Sequence, residues 1–86
     1  MKLKRIDKTS ATELTLLDGT VVLFSYQTPV AACLAAPVEH AGKATCFVRT
    51  DKKWSATTSK HINRWLDGAR AKEMPQSFLD SLVSNG

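Results

Sequence analysis

Residues 12–26 read Thr12-Glu13-Leu14-Thr15-Leu16-Leu17-Asp18-Gly19-Thr20-Val21-Val22-Leu23-Phe24-Ser25-Tyr26. Two runs of β-forming residues flank Asp18-Gly19, a pair that tolerates the positive φ angles of a tight type I′ turn. The pattern predicts a β-hairpin with strands over Thr12–Leu17 and Thr20–Tyr26. This hairpin commits the first part of the chain to an antiparallel sheet.

Two further runs extend the predicted sheet. Val30–Ala35 follows Pro29, which belongs at the start of a strand or on an edge because proline has no N–H to donate. After a loop over Pro37–Gly42, the run Lys43–Arg49 is rich in β-formers and reads as the return strand. The sequence therefore predicts three to four antiparallel strands.

Near residue 57 the hydrophobic period changes from two residues to 3.6, which is typical of a helix. We expect this helix to begin at Thr57 or Thr58, behind hydroxyl residues suited to capping, and to end at Gly68. The connection Ala69–Met74 leads to a second helix that starts at Pro75. The predicted fold is α+β, with the sheet followed by two C-terminal helices packed on one face.

Length and composition bound the architecture. The 86 residues, of which 43% are hydrophobic, predict a single domain over 1–86 with a thin core. Such a core contributes roughly 3–5 kcal/mol of net stability, which leaves a homodimer open.

The charge distribution bears on location and partners. No apolar run approaches the ~20 residues that span a bilayer, and the first eight residues are charged where a signal peptide turns apolar. We therefore expect a cytoplasmic protein without a membrane partner. The net charge of +4 favours encounter with nucleic acid or with acidic proteins, but only modestly.

The chain has two cysteines and two histidines. A hairpin centred between Glu39 and His40 would place Cys33 directly opposite Cys46, and both thiols are expected to be reduced in the cytoplasm. Zinc-ligand types are present at Cys33, His40, Cys46 and His61, but no pair of them shows the two-residue separation of zinc motifs. We predict no metal and no cofactor.

A nucleophile can be assembled on paper from Cys46 or Ser55 with His61, since both residue types need an adjacent base for activation. No nucleophile elbow, glycine-rich phosphate loop or close carboxylate pair accompanies them. The sequence predicts no catalytic residue, and we expect a binding protein rather than an enzyme.

The densest candidate for binding surrounds the first predicted helix. If Ile62 faces the core, Lys60 and Arg64 lie on the opposite side, one turn apart, with His61 and Asn63 flanking them. The predicted site consists of Lys52, Lys53, Trp54, Lys60, His61, Asn63 and Arg64. The alternative interpretation is a solvated helix face with capping hydroxyls, leaving Trp54 as either core or contact.

Two strings carry a resemblance: Tyr26-Gln27-Thr28-Pro29-Val30-Ala31 and Trp54-Ser55-Ala56-Thr57-Thr58-Ser59-Lys60-His61-Ile62-Asn63-Arg64-Trp65-Leu66. The chain resembles a group of short, uncharacterised phage and prophage proteins that pair Tyr-x-Thr-Pro-Val-Ala with Trp-Ser-x-Thr-Thr-x-Lys-His-Ile-Asn-x-Trp-Leu. The resemblance implies a phage-type origin and a host-cell location, and it carries no activity. Its weakest part is the apolar stretch Ala32–Val38, which is longer than in relatives with a tighter hairpin.

Two partner classes follow for such a protein. The first hypothesis is a nucleic-acid-binding protein that contacts the phosphate backbone through the basic helix face, with Asn63 and His61 available to bases. The second is a protein-binding inhibitor or modulator of host machinery, for example of a defence system. The sequence leaves both open.

Overall fold

The structure is a computed structural model that describes residues 2–5, 11–40 and 42–84. Its sheet has six strands in chain order, which are β1 Lys2–Arg5, β2 Ala11–Thr15, β3 Val21–Ser25, β4 Thr28–His40, β5 Lys43–Thr50 and β6 Lys72–Met74. Neighbouring strands are antiparallel, except that β5 and β6 are parallel. The helices are α1 Ala56–Leu66 and α2 Gln76–Ser84. The α+β class is confirmed.

The prediction of three to four antiparallel strands is wrong in number and in direction. It missed the edge strands β1 and β6, which have four and three residues. Both are short and lysine-containing, so they lack the alternating apolar pattern that identifies a half-buried strand. β6 also runs parallel to β5, an arrangement that α1 makes available as a crossover.

The predicted hairpin between β2 and β3 is confirmed, but its turn differs. Among turn residues 16–20 only Gly19 has a positive φ, 96°, whereas a type I′ turn needs two such residues. The Asp18 carboxylate accepts a hydrogen bond from the Thr20 backbone N–H at 2.9 Å. This bond, joined by one from the Thr20 side chain, lowers the pKa of Asp18.

The strand β4 runs through the predicted loop 37–42 as far as His40. An irregularity between Cys33 and Val38 shifts the register with β5, so that Cys33 pairs with Phe47. The prediction that Cys33 lies directly opposite Cys46 is therefore wrong. His40 pairs with Lys43, so the hairpin is not centred between Glu39 and His40 as predicted, and the irregularity adds more residues to β4 than to the facing part of β5. Both cysteines are free thiols.

Two rows of paired residues show how the helices are arranged. The row Leu14, Val22, Ala32 and Val48 crosses β2 to β5 and packs in one hydrophobic cluster with Leu79 of α2. The neighbouring row is Glu13, Leu23, Ala31 and Arg49. Its buried members Leu23 and Ala31 pack in a second cluster with Ile62 and Leu66 of α1.

Adjacent residues of a strand point to opposite faces of the sheet, so α1 and α2 cover opposite faces. The prediction that both helices pack on one face is wrong. The physical reason is β6, which lies between the two helices in the chain and lets the second one begin on the other side. The sheet is thus the middle layer, and α1 presents its outer side to solvent.

The ends of α1 follow from capping residues. Ser55 is the N-cap, and its hydroxyl accepts a hydrogen bond from the Thr58 backbone N–H at 3.3 Å. At the other end Asp67 adopts the left-handed conformation and donates its N–H to the Asn63 carbonyl. The predicted start was therefore one or two residues late, and the predicted end at Gly68 is confirmed to within the cap. The second helix, predicted to start at Pro75, begins one residue later, at Gln76.

Candidate nucleic-acid interface

The outward face of α1 carries the two predicted cations. Ile62 is 2% exposed against the sheet, whereas Lys60 and Arg64 are exposed. Each is two residues from Ile62, which corresponds to about 160° around the helix axis at 3.6 residues per turn. The predicted orientation of the helix is confirmed, and Thr58 and Leu66 are buried on the Ile62 side as expected.

The segment before α1 adds two more exposed cations, Lys52 and Lys53. Trp54, which the sequence left as core or contact, is 38% exposed. The Lys52 ammonium lies 4.3 Å from the centroid of the Trp54 ring. The indole N–H of Trp54 donates to the side-chain oxygen of Gln76 at 3.3 Å. The ring is therefore fixed at one edge by α2 and remains partly open to solvent.

We call the exposed side chains Lys52, Lys53, Lys60 and Arg64 the basic surface. Within the described part of the chain, none of the four forms an ion pair with a carboxylate. Their positive charge is therefore not neutralised by direct ion pairs in this part of the chain, and it attracts anionic groups that approach these side chains.

A cavity of about 410 Å³ opens between the end of β5 and the start of α1. Its charged lining residues are Arg49, Asp51, Lys52, Lys53 and Glu73, so cations outnumber carboxylates by three to two. Trp54 lines it as well. We call this space the Arg49 cavity.

Arg49 is held loosely for a partly buried arginine. Its terminal nitrogen Nη1 donates to the Asn63 side-chain oxygen at 3.4 Å, a long hydrogen bond. Its buried Nε atom has no acceptor among the described residues. An unsatisfied buried donor costs roughly 1–3 kcal/mol, so a ligand whose acceptor reached the guanidinium would remove this cost and be bound more tightly.

His61 does not flank the outward face, and the expectation that it does is wrong. The ring is 8% exposed, and its Nδ1 lies 2.9 Å from the hydroxyl oxygen of Ser25 on β3. That hydroxyl also lies 3.0 Å from the Thr58 hydroxyl. Because a helical residue one step from Ile62 is turned only about 100° from it, His61 falls at the margin of the buried stripe. Asn63 remains exposed and contacts Arg49.

The candidate nucleophiles and metal ligands occupy the following places in the structure. The Ser55 hydroxyl is occupied as a helix cap, and the hydroxyl found next to His61 belongs to Ser25, which is 2% exposed. A substrate therefore has no open path to that hydroxyl in this conformation. Among residues 2–5, 11–40 and 42–84, no three metal-ligating side chains gather at one point. The side chain of His40, one of the zinc candidates, lies outside the described residues.

A second concave region lies where β3 ends. It is an open groove of about 310 Å³ that is lined by Thr12, Leu14, Phe24, Tyr26 and Gln27. The Tyr26 side chain is 60% exposed, and its φ of 59° is unusual for a residue other than glycine. This groove is more apolar in character than the Arg49 cavity.

Comparison with known protein families places the chain. A family model described as "Family of unknown function (DUF8033)" matches residues 1–81. The chain belongs to this family. Neither the curated proteins nor the solved structures give a match to this DUF8033 protein. The assignment agrees with the resemblance to an uncharacterised group. In the described residues, neither helix is long and apolar enough to cross a membrane.

Sequence reasoning missed two residues of the site in this DUF8033 protein. Arg49 was assigned only as the last residue of a strand, although its row on the α1 face contains Leu23 and Ala31. Gln76, which holds both Trp54 and the Thr50 hydroxyl, lies beyond a strand that was not predicted. The strand alternation on β5 was the available signal for Arg49. No local signal points to Gln76.

Proposed function

We propose that this DUF8033 protein is a non-enzymatic, phage-type binding protein that contacts nucleic acid through the basic surface in the cytoplasm of a host cell. The observation that carries the proposal is the set of four exposed cations on α1 and on the segment just before it, without ion-pair partners in the described part of the chain. Two of them, Lys60 and Arg64, are separated by one helical turn.

The chemistry of these groups suits the phosphate backbone. Lysine and arginine that neutralise phosphates release condensed counterions, which favours association and makes it sensitive to salt. Arg64 adds a planar guanidinium that can bind a phosphate through two hydrogen bonds. Because such contacts carry no sequence information, the proposed binding is largely independent of sequence. Asn63 is the exposed side chain that remains available for a base.

The phage-type origin rests on the two strings at Tyr26–Ala31 and Trp54–Leu66. The second string includes Lys60, Asn63 and the buried positions that orient them. Sequence-independent binding of nucleic acid is a role that a short basic phage protein can fill.

The test is the salt dependence of binding. We expect a labelled oligonucleotide to bind at low salt and to lose affinity linearly on a logarithmic scale as salt rises. The Lys53→Ala variant should bind more weakly, while Lys43→Ala should not, because Lys43 is an equally exposed lysine at the far end of β5. Absence of binding at low salt, or equal losses for both variants, would refute the proposal.

The groove beside Tyr26 favours a second candidate, a protein-binding modulator of host machinery. Tyrosine is enriched at the energetic centres of interfaces, and a strained backbone is often retained for function. The Leu17 side chain, 88% exposed in the turn of the β2–β3 hairpin, is a separate exposed apolar group. A host protein that the tagged chain captures after nuclease treatment, and that Tyr26→Ala releases, would favour this candidate over the first.

A further inference from the structure

We propose that the Arg49 cavity accommodates one unstacked nucleotide of a single-stranded nucleic acid, with the phosphate on Arg49 and Lys52 and the base against Trp54. This inference rests on the proposed nucleic-acid binding and deepens it by naming the class of nucleic acid. It depends on the cavity, whereas the proposed function depends on the exposed cations alone.

The shape of the site favours a single strand. A volume of about 410 Å³ lies within the range of roughly 300–1,000 Å³ found for small-molecule sites. Proteins that read a duplex insert a protruding helix or ribbon into a groove, where the bases stay stacked inside. A concave site instead receives a protruding group, and only a single strand offers bases that can be turned out of the stack.

Arg49 supplies donors that have no better partner. The guanidinium carries five N–H donors, of which Nε has no acceptor in the described part of the chain and Nη1 makes only the long bond to Asn63. A small rotation of the side chain into the cavity would bring a phosphate within reach of two of these donors at once. The loss of a 3.4 Å bond opposes this rotation only weakly.

Trp54 supplies a stacking platform at the rim of the same cavity. Its edge is held by Gln76, so the ring is already oriented before a ligand arrives. The ring now carries the Lys52 ammonium at 4.3 Å, which shows that its face attracts a positive group. Because the lysine side chain is long and flexible, it can move to the phosphate and leave the face to a base. Stacking on an aromatic ring is tolerant of base identity.

The two carboxylates of the cavity, Asp51 and Glu73, refine the choice of ligand. They weaken the attraction for a bare phosphate ion, because they offset two of the three positive charges. They can accept hydrogen bonds from the exocyclic amino group of a base, as carboxylates do from cytosine. A nucleotide therefore offers a phosphate to the cations and a base to the carboxylates, whereas inorganic phosphate can bind only the cations.

The test compares a labelled single strand of about 12 nucleotides, within the site sizes of ~4–16 known for single-strand-binding folds, with a hairpin duplex of the same sequence at low salt. We expect the single strand to bind at least tenfold more tightly. Trp54→Ala should weaken single-strand binding by roughly tenfold, the loss expected for one stacked base. Trp54→Phe should keep most of the affinity, because it keeps an aromatic face while it removes the indole N–H.

A structural role for Trp54 predicts a different ranking, in which Trp54→Phe loses as much as Trp54→Ala through the Gln76 bond. That ranking, or equal affinity for strand and duplex with no effect of Trp54→Ala, would overturn this inference and leave the proposed function standing. Binding to neither would overturn both. If Trp54→Ala unfolds, the test is the tryptophan fluorescence of the wild-type protein, with Trp54→Phe as the control that lacks this ring. Quenching of the wild-type fluorescence by the single strand supports the inference, and absence of quenching overturns it.

Discussion

The hydroxyl oxygen of Ser25 on β3 lies 2.9 Å from Nδ1 of His61 on α1, and both side chains are buried. The two residues are 36 positions apart in the chain. A serine hydroxyl can donate or accept, so it can satisfy either tautomer of the imidazole. The contact stabilises the same rotation of α1 on the sheet as the packing of Ile62, in which Lys60 and Arg64 face solvent.

Ser25→Ala should destabilise the fold by about 1–3 kcal/mol, because it takes one hydrogen-bond partner from a buried ring and another from Thr58. The free energy of unfolding in urea measures the change. The matched control is Ser59→Ala, an exposed serine of α1, which should change stability by less than about 0.5 kcal/mol. Equal urea midpoints for the two variants would contradict the proposed role of the contact.

Trp65→Ala should destabilise the protein by roughly 3 kcal/mol, the low end of the range for aromatic truncation, because the ring is only half buried. The ring meets Phe47 edge-on at a centroid distance of 5.7 Å, and its N–H donates to the Glu13 carboxylate at 2.8 Å. Lys60→Ala should cost less than about 0.5 kcal/mol. Thermal or urea unfolding ranks the two, and a reversed ranking would mean that the helix is turned the other way.

Cys33 should be alkylated more slowly in the native protein than in the unfolded chain at the same pH. Burial raises the pKa of its thiol, and the negative charges of a Cys46 thiolate and of Glu13 add to the effect. A raised pKa leaves less of the reactive thiolate at a given pH, so the pH at which the native rate reaches half of its maximum should lie above 9.0, the ordinary value. Mass spectrometry of labelled peptides gives both rates. Equal rates would argue against this environment, and a thiol that reacts only after reduction would reveal a disulfide.

The helical half of the fold was the most predictable from sequence. The 3.6-residue recurrence of Ile62, Trp65 and Leu66 orients α1 correctly, because the helix has one apolar stripe and one sheet to cover. The β2–β3 hairpin was equally clear from Asp18-Gly19. These are local signals, and local signals suffice where one face of an element is buried.

The rest depends on contacts between distant parts of the chain. β1 and β6 are edge strands whose pairing carries no apolar alternation, so no window of the sequence reveals them. Because β6 was not predicted, both helices were expected to pack on one face of the sheet. The partners of His61 and Arg49 come from β3 and from the following helix, and their distance in sequence hides both contacts. The four residues of the basic surface could be predicted because exposure of lysine and arginine needs no partner.

The double variant Lys60→Ala, Arg64→Ala tests the central claim most directly. Both side chains are exposed on the face opposite Ile62, so their removal should leave the urea midpoint nearly unchanged. If both contact phosphates of a single strand, affinity should fall for every sequence and the salt slope should decrease by about 1.4, from roughly 0.7 per contact. A folded double variant that keeps the wild-type affinity and salt slope would contradict the claim that this face binds nucleic acid.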